Sequence, residues 1–415
     1  MDSRVRKKPE LLIPASSLEV LKTAVIFGAD AVYIGGEAFG LRAKAKNFSM
    51  AQMAEGIAFA HARGVKVYVT ANILAHNEDL TGAEEYFQEL REMEPGQADA
   101  LIISDPGMFT IARRVWPEVE IHISTQANNT NYGTFLFWWN QGAKRVVTAR
   151  ELSLKEIREI RERIPEEMEI ESFVHGAMCI SYSGRCLLSS YFTGRDANKG
   201  ACTHPCRWKY AVVEETRPGE YMPVFENERG TFLFNSRDLC MIEYIPELVG
   251  AGIDSFKIEG RMKTALYVAA VARTYRRAID DCFEDERKYR ANLDWYREEI
   301  EKCTYRRFTT GFYFGKPDEN TQIYDNNTYV NEYVYLGIVE EAKDSLVRIE
   351  QKNKFCTGDE IEIMKPDGRN VPVTVEAIYN EEGGSMESAP HPRQLLWVKL
   401  SDAAEPFDLL RVRGK

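Results

Sequence analysis

The sequence ESFVHGAMCISYSGRCLLSSYFTGRDANKGACTHPCRWKY, residues 171–210, decides the fold because it interrupts a regular pattern. It opens as a short apolar strand and then loses all periodicity where the preceding pattern predicts a helix. Four of the chain's eight cysteines lie in it: Cys179, Cys186, Cys202 and Cys206. Long irregular segments within compact domains are usually functional. We therefore expect residues 176–209 to be an insertion that carries the site.

The chain before this segment alternates between short β-branched runs and longer amphipathic stretches. This alternation is typical of repeated βα units and a parallel sheet. No G-x-G-x-x-G follows the first strand, which argues against an open dinucleotide-binding sheet. A TIM-type (β/α)8 barrel is therefore predicted over residues 1–284. Its candidate strands are Glu10–Ala15, Ala31–Gly35, Lys66–Asn72, Ala100–Asp105, Glu120–Gln126, Arg145–Glu151, Glu169–Gly176 and, as the eighth, Ser255–Glu259.

The rest of the chain divides into three parts. After the cysteine segment, Tyr210–Glu214 and Thr231–Asn235 read as a hairpin, and Cys240–Gly250 as a helix. Residues 285–329 read as a helical linker. From about residue 330 to 415 the alternation of apolar and polar residues predicts a small all-β barrel.

Composition limits the class of protein. The formal net charge is −11, which argues against a surface coated with basic residues but not against a local basic cleft. The first ten residues lack the apolar run of a secretory signal. No window holds the ~18 apolar residues that a membrane helix needs. We expect a cytoplasmic protein with no membrane partner, in which cysteines do not form structural disulfides.

The spacing of the four cysteines leaves several functions open. A structural zinc site prefers two pairs of close ligands, and only Cys202 and Cys206 have that spacing. An iron–sulfur cluster needs four thiolates and tolerates scattered ligands. A thiol nucleophile would need a base, for which His175 and His204 are near in sequence. Spacing favours the cluster, with zinc, a nucleophile or buried core thiols as alternatives.

Residues 171–189 follow the pattern Glu-x-Phe-x2-Gly-Ala-Met-Cys-x4-Gly-x-Cys-x-Leu-Ser, which matches the signature of peptidase family U32 at every fixed position. The segments KPELLIPA (8–15), GADAVYIGG (28–36), SDPG (104–107), STQANNTN (124–131) and FKIEGRMK (256–263) also resemble that family. The resemblance covers essentially the whole chain.

This resemblance implies a function. The chain is most similar to the branch that hydroxylates the wobble uridine of tRNA without molecular oxygen, with prephenate as the hydroxyl source. It implies a [4Fe–4S] cluster on Cys179, Cys186, Cys202 and Cys206. A related branch uses a cysteine at the position of Cys240 in place of the fourth, so both remain candidates for that ligand.

Two other functions remain open: a collagenase-like peptidase, for which the family is named, and a non-catalytic iron–sulfur or RNA-binding factor. A helical H-E-x-x-H and a recognisable nucleophile–base pattern are both absent, which argues against the peptidase. Within the signature segment, Glu171, His175 and Arg185 are the predicted catalytic residues.

Basic residues follow several predicted strands, at the end of a barrel that holds the active site. Arg42, Lys44, Arg150 and Arg261 are the predicted substrate-binding residues, because arginine forks suit carboxylates and phosphates. Pairing with neighbouring acids such as Glu259 is the alternative. On the cysteine segment, Tyr182, Tyr191, Phe192 and Trp208 either stack on an unpaired base or pack the segment onto the barrel.

Overall fold

The structure is a computed structural model, and it describes residues 7–40, 47–179, 181–183, 185–208, 212–213, 221–222, 237–315 and 329–414. Eight parallel strands form its main domain. Each of the first seven pairs with the next, and the eighth pairs with both the first and the seventh, which closes the barrel. The predicted TIM-type barrel is thus confirmed. The strands are β1 (Glu10–Pro14), β2 (Ala31–Gly35), β3 (Lys66–Ala71), β4 (Ala100–Ile103), β5 (Glu120–Ile123), β6 (Arg145–Val147), β7 (Glu169–Ala177) and β8 (Ser255–Ile258).

Helices surround the barrel, and polar caps fix where they begin. The side chains of Ser49 and Ser153 accept hydrogen bonds from the first turns of their helices and complete capping boxes with Gln52 and Glu156. Asp105 caps another helix, directly before Pro106. The helices are α1 (Leu18–Ile26), α2 (Met50–His61), α3 (Asn77–Leu80), α4 (Ala83–Arg91), α5 (Pro106–Val115), α6 (Tyr132–Asn140), α7 (Leu154–Arg161), α8 (Leu188–Thr193), α9 (Ile245–Gly250), α10 (Ala265–Glu284), α11 (Glu286–Ala291) and α12 (Leu293–Glu301). None of the helices in the described ranges has the length and apolar character to cross a bilayer.

Side chains of the strands alternate between two environments. Outward-facing residues such as Leu11, Ile13 and Val69 join the large core between strands and helices. The barrel interior holds a smaller apolar cluster that includes Tyr33, Tyr68 and Ile102, and next to it a buried network of charged side chains. The interior is thus packed rather than open, as in other barrels of this type.

Short strands extend the rim of the barrel. The strand Asp238–Cys240 pairs antiparallel with the end of β7. Phe308–Thr309 in turn pairs parallel with Asp238–Cys240. This corrects the helix predicted over 240–250, because Cys240 ends a strand and only Ile245–Gly250 is α-helical. Val212–Val213 does form a hairpin strand, but it pairs with Tyr221–Met222. The partner predicted for it, Thr231–Asn235, lies outside the described residues.

The C-terminal domain is a closed antiparallel barrel. Six of its strands pair in a ring, with 360–364 meeting both 370–379 and 409–413, so the predicted all-β barrel is confirmed. The segment predicted as a linker begins with α11 and α12, which pack on α10. The strands are Tyr333–Lys343, Leu346–Glu350, Phe355–Cys356, Glu360–Met364, Asn370–Tyr379, Ser385–Met386, Ser388–Ala389, Leu395–Leu400 and Leu409–Arg413.

A buried ionic contact joins the two domains. Arg411 of the β domain is fully buried and lies 3.4 Å from the Glu299 carboxylate of α12. Arg273 of α10 pairs with the same carboxylate. Removing one member of such a buried set is strongly destabilising, so this contact fixes the β domain against the barrel.

Candidate metal and substrate cavity

A cavity of about 180 Å³ lies at the carboxyl ends of the barrel strands, beneath the cysteine segment. This is the end at which barrel enzymes hold their active sites. Asn72 and Gln126, the last residues of two predicted strands, line the cavity, as does Arg150, which was predicted to bind substrate. Asp105 instead caps α5. The strand ends thus supply the floor of the cavity, and the cysteine segment supplies its roof.

All four cysteines of the segment line this one cavity. Cys179 follows directly after β7, and Cys186 precedes the short helix α8. Cys202 and Cys206 follow a turn at Ala197–Lys199, where Gly200 has a φ of +87° that favours glycine. The backbone N–H of His204 lies 3.4 Å from the Cys202 sulfur. The irregular path of the segment therefore brings distant thiols to a common wall.

Cys240 lies elsewhere. It sits on the rim strand opposite His175, and its sulfur lies 3.9 Å from the Tyr275 hydroxyl of α10. Burial raises the pKa of the Cys240 thiol to about 12. Cys240 does not line the cavity. The structure thus groups Cys206, rather than Cys240, with the other three cysteines.

The four thiols are donors of the type that bind an iron–sulfur cluster. Within the described ranges, no group of three or more His, Cys, Asp or Glu side chains is arranged to hold one metal ion. In a [4Fe–4S] cluster each thiolate binds its own iron, so the sulfurs surround the cluster rather than meet at one atom. None of the eight cysteines, all in the described ranges, is in a disulfide. Four thiols spread around one cavity therefore fit a cluster.

Arg150 joins the floor of the cavity to its roof. Its guanidinium donates to the Ala177 carbonyl (3.1 Å) and to Glu259 Oε2 (2.9 Å), and Nη1 lies 3.8 Å from the Cys179 sulfur. It also stacks over the Phe173 ring at 4.1 Å. Burial alone would lower the pKa of Arg150, but the Glu259 carboxylate raises it. The predicted acid partner is therefore present, and Arg150 stays charged beside a thiol.

Arg261 also lines the cavity. Its Nη1 donates to the Thr70 hydroxyl at 2.9 Å and its Nη2 to the Asn47 side chain at 3.3 Å. A Cβ atom at Gly35 would lie 2.3 Å from Nη2, so only glycine leaves room for this guanidinium. These two hydrogen bonds hold the guanidinium in a fixed orientation.

Lys257, which was not among the predicted site residues, also lines the cavity. Lys257 is buried, its Nζ donates to Glu171 Oε1 at 2.6 Å, and it faces the Tyr33 ring at 4.6 Å. Lysine is rarely buried without a partner. A lysine within the apolar strand SFKI therefore indicates a buried charge with a specific partner, and this pattern could have identified Lys257 from the sequence.

Glu171 lies below the cavity in the barrel interior. It is fully buried, and it pairs with Lys257 and, at 3.1 Å, with Arg145. Burial alone would raise the pKa of Glu171, but Lys257 and Arg145 lower it below its ordinary value. Glu171 does not line the cavity; its contact with the site is through Lys257.

The structure places His175 behind the cavity wall. The pairing of β7 with β8 shifts register before His175, and its ring packs among Tyr267, Tyr275 and Phe308. Burial lowers the pKa of His175 to about 3, so the ring is neutral. Among the other predicted residues, Arg185 is exposed and does not line the cavity. Arg42 and Lys44 lie outside the described residues.

Comparison with known proteins identifies the family. The sequence profile of peptidase family U32 matches residues 16–323, and that of the peptidase family U32 C-terminal domain matches residues 331–411. The chain belongs to peptidase family U32. The family match thus includes both the barrel with its cysteine segment and the β domain.

Relatives within this family carry names from RNA modification. The chain is 42% identical over 413 residues to "tRNA hydroxylation protein P1" of Bacillus subtilis, covering 99% of this chain and 96% of that protein. It is 38% identical over 439 residues to "tRNA hydroxylation protein P" of Escherichia coli, covering 96% and 95%. Another relative, "23S rRNA 5-hydroxycytidine C2501 synthase" of Escherichia coli, is 32% identical over 342 residues, covering 81% of this chain and 50% of that protein.

Proposed function

We propose that this protein is an enzyme that hydroxylates a wobble uridine of tRNA at C5, with a [4Fe–4S] cluster on Cys179, Cys186, Cys202 and Cys206. The observation that carries the proposal is that these four thiols line one cavity, together with Arg150 and Arg261. Relatives that match nearly the full chain are named for tRNA hydroxylation, which supports the choice of substrate and a cytoplasmic location.

Different residues of the cavity would bind the cluster and the organic acid. The four thiolates would hold the cluster, which supplies one-electron transfer when it is bound. Arg150 and Arg261 would bind the two carboxylates of prephenate, the proposed hydroxyl source, because a planar fork pairs with a carboxylate in a fixed orientation. Lys257 adds a third cation to the cavity. The cysteine segment forms the roof of this cavity.

The first experiment measures iron and acid-labile sulfide per chain after anaerobic purification. We expect about four of each, lost in Cys179→Ala and Cys186→Ala. Cys356→Ala, in the β domain, is the matched control and should keep both. One zinc, or no metal, in the wild-type protein would overturn the cluster.

The second experiment measures the reaction. The protein with its cluster, unmodified tRNA and prephenate are incubated without oxygen, and the tRNA is digested for mass spectrometry. A uridine that gains one oxygen atom, only when prephenate and all four cysteines are present, is the expected product. Cleavage of a peptide by Cys179→Ala, with no change in the tRNA, would instead establish a peptidase. A bound cluster without turnover would leave a non-catalytic factor.

A further inference from the structure

Exposed apolar side chains concentrate around the mouth of the cavity. Eleven large hydrophobic residues are exposed in the described ranges, and five of them belong to the cysteine segment. Two more lie at the same rim: Met262 follows Arg261, and the backbone of Leu74 donates to the Asn198 carbonyl of the segment. Contiguous exposed apolar surface on a protein usually marks an interaction site. The five on the segment are Tyr182, Leu187, Tyr191, Phe192 and Trp208.

Three of these aromatic rings are neighbours. The Tyr191 and Phe192 centroids are 5.1 Å apart with an edge-to-face angle of 83°, and Phe192 lies 6.2 Å from Trp208. Tyr191 is 83% exposed, so its ring contributes little to packing the segment onto the barrel. Tyr182 is 47% exposed and also lines the cavity. The cysteine segment thus carries three neighbouring exposed rings and a fourth, Tyr182, at the cavity itself.

Cations accompany the rings. Arg185 and Arg195 are exposed, and neither makes an ion pair within the part of the chain that the structure describes. Asp196, the nearest acid in sequence, accepts a hydrogen bond from the Asn198 N–H instead. In a chain of net charge −11, exposed arginines on the same segment as exposed rings form a local site for an anion that also has flat faces.

We propose that this surface, defined by Tyr182, Tyr191, Phe192 and Trp208 with Arg185 and Arg195, is a platform on which bases of a single-stranded RNA loop stack. Aromatic rings bind unpaired bases through their faces, and arginines contact the phosphates between them. The proposal deepens the tRNA hydroxylation proposed above and rests on it for the identity of the partner. It explains how a loop nucleotide adjacent to the platform reaches the cavity beneath Tyr182.

The test compares RNA affinity among variants of the full-length protein with its cluster. The probe is a labelled RNA hairpin with a uridine in its single-stranded loop, and a fully paired duplex of the same composition is the second probe. We expect Tyr191→Ala and Trp208→Ala each to weaken hairpin binding by about fivefold or more, the scale of one stacked base. Tyr191→Phe should retain the affinity, since it retains the ring. Phe137→Ala, which removes a 53% exposed ring from α6, should change nothing.

Comparing the two RNA probes, and measuring the iron content of each variant, separates base stacking from general RNA binding and from misfolding. Duplex binding should be nearly unchanged in all variants, because only unpaired bases can stack on the rings. If Tyr191→Ala and Trp208→Ala bind the hairpin like the wild type with full iron content, the platform is wrong, even if the tRNA is hydroxylated. If they lose hairpin binding and the wild type hydroxylates no tRNA, the platform stands and the proposed function fails. Unchanged hairpin binding together with loss of self-association would assign the surface to a protein contact.

Discussion

The guanidinium of Arg150 lies 3.8 Å from the sulfur of Cys179. A fixed positive charge at this distance stabilises negative charge on the sulfur and on whatever the sulfur binds. A second hydrogen bond, to Glu259, holds the guanidinium in place. Arg150 therefore connects the cysteine-bearing roof of the cavity, the proposed cluster site, with the strand ends that form its floor.

Replacing Arg150 should affect both functions. We expect Arg150→Gln to make reduction of the cluster harder, because the added electron loses a nearby cation, and to lower kcat/KM for tRNA hydroxylation by about 100-fold. A redox titration followed by electron paramagnetic resonance measures the first effect, and product analysis the second. Arg150→Lys should keep most of the cluster's reduction potential, because it keeps the positive charge. It should not restore kcat/KM, because lysine lacks the planar fork that pairs with a carboxylate. Arg114→Gln, on the outer surface of α5, is the control; an unchanged potential in Arg150→Gln would contradict the prediction.

The position of Cys240 predicts which cysteine is the fourth ligand. Cys206 lines the cavity with the other three, whereas Cys240 lies against Tyr275 beyond the wall formed by β7. We expect Cys206→Ala to lose the iron and the visible absorption of the cluster, and Cys240→Ala to keep both. The reverse result would mean that the rim strand Asp238–Cys240 moves to place Cys240 at the cluster.

The ion network inside the barrel should make the fold sensitive to acid. Burial alone would raise the pKa of Glu10, but the Arg145 guanidinium and a hydrogen bond from Tyr68 lower it from 4.5 to about 2. Because the folded chain binds this proton less readily than the unfolded chain, the stabilisation is present above pH 4.5 and is lost as the pH falls towards 2.

A shift of this size corresponds to about 3 kcal/mol of folding free energy. Glu10→Gln should therefore be less stable than wild type at pH 7, and its stability should fall less steeply as the pH drops from 4.5 towards 2. Urea unfolding at several pH values measures both. Glu118→Gln, at the surface, should follow the wild type. Parallel curves for wild type and Glu10→Gln would show that the network does not depend on this carboxylate.

The local sequence was sufficient to predict the barrel scaffold, but it did not identify every residue of the site. Each barrel strand is a short, mostly apolar run, and several of the helices between the strands begin at side-chain caps, so nearby residues fix the position of each strand. The choice between Cys206 and Cys240 depends instead on how a rim strand pairs with β7, which spacing does not reveal. Lys257 was overlooked because its role depends on Glu171, a partner that lies 86 positions away in the chain.

His175 illustrates the same limit at a strand end. His175 lies at the end of a predicted barrel strand, where active-site residues are expected, and this position underlies its prediction as catalytic. The register shift with β8 instead directs the ring to Tyr275 and Phe308. Such irregularities depend on tertiary pairing and have no clear signature in a single sequence.

The environment of His175 predicts a pH effect on stability. Its folded-state pKa is about 3, below the ordinary 6.5, because burial disfavours the charged ring. The unfolded chain therefore binds a proton that the folded chain rejects, and stability is lost as the pH falls from 6.5 towards 3. His175 alone should lower the free energy of unfolding by about 2 kcal/mol between pH 7 and pH 5. His175→Phe should remove that loss, as measured by urea unfolding at the two pH values, while exposed His391→Gln should not.

The same variants test whether His175 takes part in catalysis. With the ring behind the cavity wall, we expect His175→Gln to hydroxylate tRNA at nearly the wild-type kcat once the folded fraction is matched. A general acid or base would lower kcat by about 100-fold or more on removal. A loss of that size in His175→Gln, with normal iron content and an unchanged Tm, would mean that the ring reaches the cavity during turnover, through an opening of the rim between β7 and the strand Asp238–Cys240.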